Sequence, residues 1–506
     1  LTSPAPDRSP KDLVLTPGPW AYGGHTVART DEGRVVFVRH ADSGERVKAR
    51  LTDADPGAKF WRADTVEVLE ASPHRRDRHP WQAADALLTA AGGLPPVGGA
   101  EMGHLTLERQ REVKTGVLRE LLGGIGRLAP AELDALDPAV EALPGEDPRG
   151  LGWRTRAHFA VDAAGSIAMH PHRSEALVPV AGFPLMVPAL EALGLAELDF
   201  TGAERIDLVA PCGGADGEAP AIVVTPAAGD SAALREALRE RLAGELLARL
   251  EEASPGLSVL LGPAEGERGP AEVLAGTATV RERAGGFSWE VSAAGFWQIH
   301  RHAPATLLEA VGEAAQLTGG QTALDLYSGA GLFTAALAEG VGASGHVLAV
   351  EGSPLTSADA ARNSAPQEQV EVVRGSVDEV LAERWPGVVR APRRRAHGSR
   401  QRGGGRARRT ASRAGSRAAS STRSAAETAR PGVVVLDPPR AGAGKNVVDA
   451  LNALGPSRIV YLSCDPATLA RDLARFRHHG WQFESVRGFD LYPNTHHLET
   501  LVVLTR

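Results

Sequence analysis

Leu324-Asp325-Leu326-Tyr327-Ser328-Gly329-Ala330-Gly331-Leu332-Phe333-Thr334 reads as a buried strand, a glycine turn and the start of a helix. Glycines let the backbone come close to a ligand, and the N-terminus of the following helix faces that ligand. Only two of the three glycines of a dinucleotide fingerprint are present, so the turn alone does not name what it binds. The next apolar run, His346-Val347-Leu348-Ala349-Val350-Glu351, ends on an acid placed to bind a ribose diol.

From Val291 onward strands and helices alternate. Thr322 to Tyr327, His346 to Glu351, Val370 to Val373, Gly432 to Asp437, Arg458 to Leu462 and Thr500 to Leu504 are apolar runs separated by helical stretches. This spacing predicts a doubly wound, mostly parallel sheet. Either a nicotinamide dehydrogenase or an S-adenosylmethionine-dependent methyltransferase fits such a sheet with the glycine turn and Glu351. Residues 387–431 interrupt it with an Arg/Ser/Ala/Gly-rich stretch that has too few large apolar residues to fold, so a disordered surface insertion is expected.

Asp437-Pro438-Pro439-Arg440-Ala441-Gly442 follows a strand. Its prolines fix a turn that leaves Asp437 directed into the ligand crevice. Ser463-Cys464-Asp465-Pro466-Ala467-Thr468-Leu469-Ala470-Arg471-Asp472 follows the next one. A thiol between a strand end and a helix start sits where N–H groups and the helix dipole favour an anion, which predicts a lowered thiol pKa and a nucleophile. Glu499 closes the segment Asp490-Leu491-Tyr492-Pro493-Asn494-Thr495-His496-His497-Leu498-Glu499 and is a candidate general base.

The chain has 506 residues, 43% of them hydrophobic, enough for two or three domains with their own cores. Two cysteines, Cys212 and Cys464, cannot build a disulfide framework, which points to a reducing cytoplasm. Residues 1–12 are polar and Pro-rich and are expected to be a disordered tail rather than a signal peptide; no apolar run is long enough to span a membrane. The net charge of −7 hides an asymmetry. Arg390 to Arg430 holds 13 Arg and one Glu, a local +12, which leaves −19 for the rest. Local positive potential of that kind keeps nucleic acid open as a partner.

Residues 13–73 hold short β-rich runs between turn signals and predict a small barrel. Gly23-Gly24-His25-Thr26-Val27-Ala28-Arg29, Val35-Val36-Phe37-Val38 and Gly44-Glu45-Arg46-Val47 resemble the TRAM domain, an OB-like barrel of RNA-modifying enzymes. Residues 74–290 read as a central α/β region. In it Leu105 to Leu128 has helical periodicity, and Trp153 to Val161 alternates basic and apolar residues like a strand with a solvated, Arg-bearing face.

Taken with Gly295-Phe296-Trp297-Gln298, these motifs resemble, in order and over nearly the whole chain, the RNA uridine-5-methyltransferase family. The resemblance implies an α/β fold with three parts: the TRAM barrel, a central RNA-binding domain, and a Rossmann-like methyltransferase domain over residues 291–506. It implies S-adenosylmethionine as methyl donor, held by Gln298, Tyr327, Gly329, Glu351 and Asp437. Cys464 would be the nucleophile that adds to the uracil, and Glu499 the base that lets it leave. The implied partner is RNA carrying a single-stranded or flipped uridine, not DNA and not a membrane. The barrel favours 23S ribosomal RNA, with tRNA as the alternative.

The chain departs from the family pattern in two places. Val97 and Ala100 stand where some members have cysteines of an iron–sulfur cluster, so neither a cluster nor another metal is expected. Leu332 stands where the glycine loop often carries Asn, which removes one side-chain contact to the donor. An RNA-binding protein that has lost catalysis is the rival from another class, and a dehydrogenase remains a third reading.

Overall fold

The computed structural model describes residues 12–212, 218–229, 232–264, 266–267, 269–390 and 429–506. Residues 1–11 of the expected tail and 391–428 of the expected insertion lie outside the described residues. Three sheets carry the architecture.

The first has six strands, ordered Asp12–Leu15, Arg46–Asp53, Phe60–Glu70, Val35–Arg39, His25–Arg29, Trp20–Ala21. Alternation makes these strands: Val36 and Val38 are fully buried while Val35, Phe37 and Arg39 are not. Their inner faces, with Val47, Ala49 and Ala63, form a small separate core.

The second sheet has seven strands and centres on Arg156–Val161, Ala203–Val209 and Ala221–Pro226. Leu238, Leu242, Leu246 and Leu250 of the helices Ala232–Ala243 and Glu245–Ala253 cover it. The expected solvated Arg face is corrected here. Arg156 is buried and hydrogen-bonds Glu282 and the Gly295 carbonyl, so this arginine braces another segment instead of facing water.

The third sheet has eight strands, ordered Val370–Arg374, His346–Glu351, Thr322–Leu326, Val433–Leu436, Arg458–Ser463, Glu499–Thr505, Gln482–Phe489, Val140–Glu141. The first five are mutually parallel, and the inner four of them read as mostly apolar runs because helices bury both faces, while the edge strand Val370–Arg374 is only half-buried. Strand order reverses between Thr322–Leu326 and Val433–Leu436, which opens a ligand crevice at their carboxyl ends. The α/β class with a Rossmann-like sheet is as expected from the sequence.

Two features of this sheet matter for the site. Glu499–Thr505 runs antiparallel to Arg458–Ser463, with Ser463 opposite Thr500. The second residue of one strand therefore lies beside the last residue of the other, which brings Glu499 level with the turn that carries Cys464. In addition, the helix Leu107–Gly124 and the strand Val140–Glu141, which fall inside the span 74–290, pack on this sheet and not on the seven-stranded one. Lys114 reaches from that helix into a buried ion pair with Asp490 at 2.5 Å, and Gln110 accepts the Asn494 N–H at 2.7 Å. These contacts fix the chain that leads into Glu499.

Candidate active site

The glycine turn owes its shape to three residues in the left-handed region, Tyr327, Gly329 and Gly331. Tyr327 and Ser328 both donate their N–H to the Val350 carbonyl. The Glu351 carboxylate accepts N–H groups from Gly329 at 2.9 Å and Ser353 at 2.7 Å. Glu351 thus fixes the turn as well as lining it. From outside, Trp289 Nε1 donates to the Gly331 carbonyl and Asn363 Nδ2 to the Ala330 carbonyl, both at 3.0 Å. A Cβ built on Gly329 would meet nothing within 4 Å, so the turn opens onto space a ligand can use.

The Asp437 turn is tied to the helix Pro466–His478. Thr468 Oγ1 donates to the Arg440 carbonyl at 3.0 Å and Arg471 to the Ala441 carbonyl at 2.6 Å. Asp472 accepts from Tyr461, from the Gly444 N–H, and from Arg475 at 2.8 Å. This accounts for the polar positions of the Ser463-to-Asp472 motif: they lock the Asp437 turn to the turn that carries Cys464. Gly442 is in the left-handed region (φ 77°), and a Cβ there would lie 2.6 Å from an Asp472 oxygen. Gly442→Ala is expected to cost about 1–3 kcal/mol through that strain and the lost lock. Chemical denaturation of the two proteins checks this, and an unchanged midpoint would remove the lock from the account.

Gln298, Tyr327, Gly329, Glu351, Asp437, Cys464 and Glu499 all line one cavity of about 690 Å³. Phe296, Arg440, Tyr492 and His497 line it too. The structure therefore brings together all seven residues singled out from sequence. Phe296 is 62% exposed, an aromatic face left open at the cavity wall. Tyr492 faces Glu499 and favours its charged form. Neither Tyr492 nor Arg440 carries a sequence signal of its own apart from the motif around it.

The electrostatics correct one expectation. Burial pushes the Cys464 thiol up to about 12, and the Glu499, Asp437 and Asp465 carboxyls push it the same way, while Arg440 opposes them. The local N–H groups that were expected to lower it are outweighed by desolvation and by like charge. Burial also raises Glu499 well above the usual carboxylate range, with Asp437 adding to the shift. Asp437 is pushed up to about 7 by burial and then by Asp325. Buried Glu499 Oε1 and Ser328 Oγ have no hydrogen-bond partner among the described residues. Several carboxyls, one guanidinium and unpartnered polar atoms around a cavity suit a cationic ligand with hydroxyls to donate.

Of the two histidines, His496 is bound to Glu101, which accepts from its ring and, at 2.9 Å, from its backbone N–H. Glu101 comes from the stretch where some family members carry cluster cysteines, and Val97 and Ala100 there are buried. Among the described residues no group of His, Cys, Asp and Glu is arranged to hold a metal ion. Cys212 lies outside the cavity, with its thiol beside Thr155 and the Gln298 carbonyl. Among the described residues, no helix is long and apolar enough to cross a membrane.

Comparison with known proteins adds three findings. Residues 427–506 match the tRNA (uracil-5-)-methyltransferase family, and residues 13–64 match the TRAM domain. The chain is 36% identical to an uncharacterised RNA methyltransferase of Streptomyces avermitilis, over 96% of each chain, and 31% identical to one of Bifidobacterium longum, over 99% of this chain and 98% of that one. Its fold matches the crystal structure of Pyrococcus abyssi tRNA (uracil-54, C5)-methyltransferase in complex with S-adenosyl-L-homocysteine, with a TM-score of 0.61 at 17% identity, over 97% of this chain and all of that one.

Proposed function

This chain belongs to the RNA (uracil-5-)-methyltransferase family, and on that premise we propose that it methylates carbon 5 of a flipped uridine in structured RNA through a covalent bond to Cys464. The observation that carries the reading is the convergence of Cys464, Glu499, Asp437 and the glycine turn on one cavity. A dehydrogenase has no use for the first two.

The donor fits the residues present. Glu351, Gly329, Tyr327 and Gln298 would hold the nucleoside and amino-acid parts of S-adenosylmethionine, and the open space at Gly329 permits close approach. Asp437 would face its positive charge. What S-adenosylmethionine supplies is an electrophilic methyl group on a sulfonium.

Carbon 5 of uracil is a weak nucleophile. Cys464 gives up its proton to solvent, and addition of the thiolate Sγ to carbon 6 forms a C–S bond, moves an electron pair onto O4 and makes carbon 5 an enolate carbon. Arg440 is placed in the cavity to offset the charge on that oxygen. Once carbon 5 carries the methyl group, Glu499, acting in its carboxylate form, removes the proton that remains there. The C–S bond then breaks, which restores the uracil double bond and returns the thiolate. Phe296 offers an open ring on which the extruded base or a neighbour can stack.

We take 23S ribosomal RNA as the substrate. Transfer RNA is the second reading, favoured by the family model and by the tRNA enzyme whose fold matches over 97% of this chain. Incubating the protein with labelled donor and separate ribosomal and transfer RNA decides between them: 5-methyluridine in only one names the substrate. Its absence from both, with donor binding intact, would sink the function. Glu351→Ala is expected to weaken donor binding about tenfold to a hundredfold, because it loses both a ribose ligand and the brace of the turn. Calorimetric titration checks it, and NAD stabilising the protein where S-adenosylmethionine does not would favour the dehydrogenase.

A further inference from the structure

We infer that Tyr22 of the N-terminal sheet is a positioning residue for Cys464, holding the neighbouring Asp465 carboxylate in place so that the barrel completes the active site. The inference rests on the reading of Cys464 as nucleophile. Tyr22 lies in the turn between the strands Trp20–Ala21 and His25–Arg29. Its hydroxyl donates to Asp465 Oδ2 across the domain boundary, while Asp465 Oδ1 accepts the Thr468 N–H at 2.8 Å and caps the helix Pro466–His478. Each carboxylate oxygen therefore has a fixed donor, one from the barrel and one from the helix.

The turn that carries Tyr22 is itself seated. A Cβ on Gly24 would lie 2.9 Å from Cβ of His496, the residue bound to Glu101 and three before Glu499. The barrel turn is thus wedged between the cap that follows Cys464 and the chain that leads to Glu499. Tyr22 is 39% exposed, so its ring is not there to fill a core. What it uniquely supplies is the hydroxyl.

The groups that face the thiol make the orientation of Asp465 count. They are Glu499 from the last strand, Asp437 and Arg440 from the Asp-Pro-Pro turn, Asp465 from the thiol's own helix, Tyr492 from the segment before Glu499, and Tyr22 from the barrel. Three of these are carboxyls and one is a cation. A carboxylate next to a thiol opposes its ionisation; one tied to two donors spreads its charge onto them and cannot turn toward the sulfur.

The test is the pH dependence of Cys464 alkylation by iodoacetamide in the full chain, followed by peptide mass at Cys464. Tyr22→Phe is expected to slow alkylation about three- to tenfold at a fixed pH by moving its profile to higher pH. Asp465→Asn, which still caps the helix, is expected to move the profile to lower pH and to cancel most of the Tyr22→Phe effect in the double variant. An unmoved Tyr22→Phe profile, or the same shift in the Asp465→Asn background, overturns the positioning role. A separate readout keeps the nucleophile reading distinct: if wild type forms no covalent complex with 5-fluorouridine RNA, that reading fails whatever Tyr22 does to the thiol.

Discussion

Cys464→Ala is expected to lose 5-methyluridine formation by about 10⁴-fold or more, since removal of a covalent nucleophile leaves only binding and orientation to assist the reaction. Cys464 lines the donor cavity and follows the last residue of its strand. It is half-buried, so a methyl in place of the thiol leaves the packing intact and the melting temperature close to wild type. Wild type should form a stable covalent complex with 5-fluorouridine RNA in the presence of S-adenosylmethionine, because fluorine at carbon 5 cannot be removed as a proton. Cys464→Ala should form none while binding the RNA as tightly. The raised thiol sharpens the expectation. With its pKa pushed up to about 12, only on the order of one thiol in 10⁵ is ionised at pH 7. Ionisation must therefore be helped by whatever binds beside it. Alkylation of the free protein should rise with pH through the neutral and alkaline range. S-adenosylmethionine, which brings a positive charge, should accelerate it where neutral S-adenosylhomocysteine does not. Turnover by Cys464→Ala within tenfold of wild type would remove the covalent route.

The inner parallel strands were legible because each is a mostly apolar run closed by a turn, and burial on both faces demands that composition. The convergence of Cys464 and Glu499 was legible only as motif order. The geometry behind it, an antiparallel last strand with Thr500 opposite Ser463, is a tertiary choice that no local pattern announces. Gln482–Phe489 was passed over because its alternating Gln-Phe-Glu-Ser-Val-Arg pattern is polar enough to resemble a loop. Val140–Glu141, two residues long, takes its strand character entirely from its partner. The thiol's state was misjudged for a related reason. A helix start can be read from Asp465-Pro466, but Glu499 and Asp437 come from other strands, and their charge beside the sulfur exists only once the sheet is assembled. Tyr22 was invisible in the same way, since its partner lies more than 400 residues along the chain.

Glu499→Gln is expected to accumulate a methylated covalent RNA complex and to cut turnover by about 10²- to 10⁴-fold, the usual contribution of a positioned base. The amide keeps the shape of the side chain, but it cannot take the carbon 5 proton. Addition and methylation, which do not use that proton, should proceed once per enzyme and stop. Labelled methyl should then appear in a protein–RNA band that survives denaturation. The same substitution should stabilise the fold. Glu499 is buried beside Asp437, and its folded-state pKa is raised well above the unfolded value. The folded state thus holds its proton more tightly than the unfolded chain does, so its stability falls as pH climbs from the unfolded pKa to the folded one. Gln carries no such penalty. Glu499→Gln should melt at a higher temperature than wild type at pH 7 to 8, with the gap closing toward pH 4. A variant that turns over at the wild-type rate, or a trapped complex without a methyl group, would take Glu499 out of the release step. A variant that is less stable at every pH would mean that the carboxyl is held by partners the amide cannot replace.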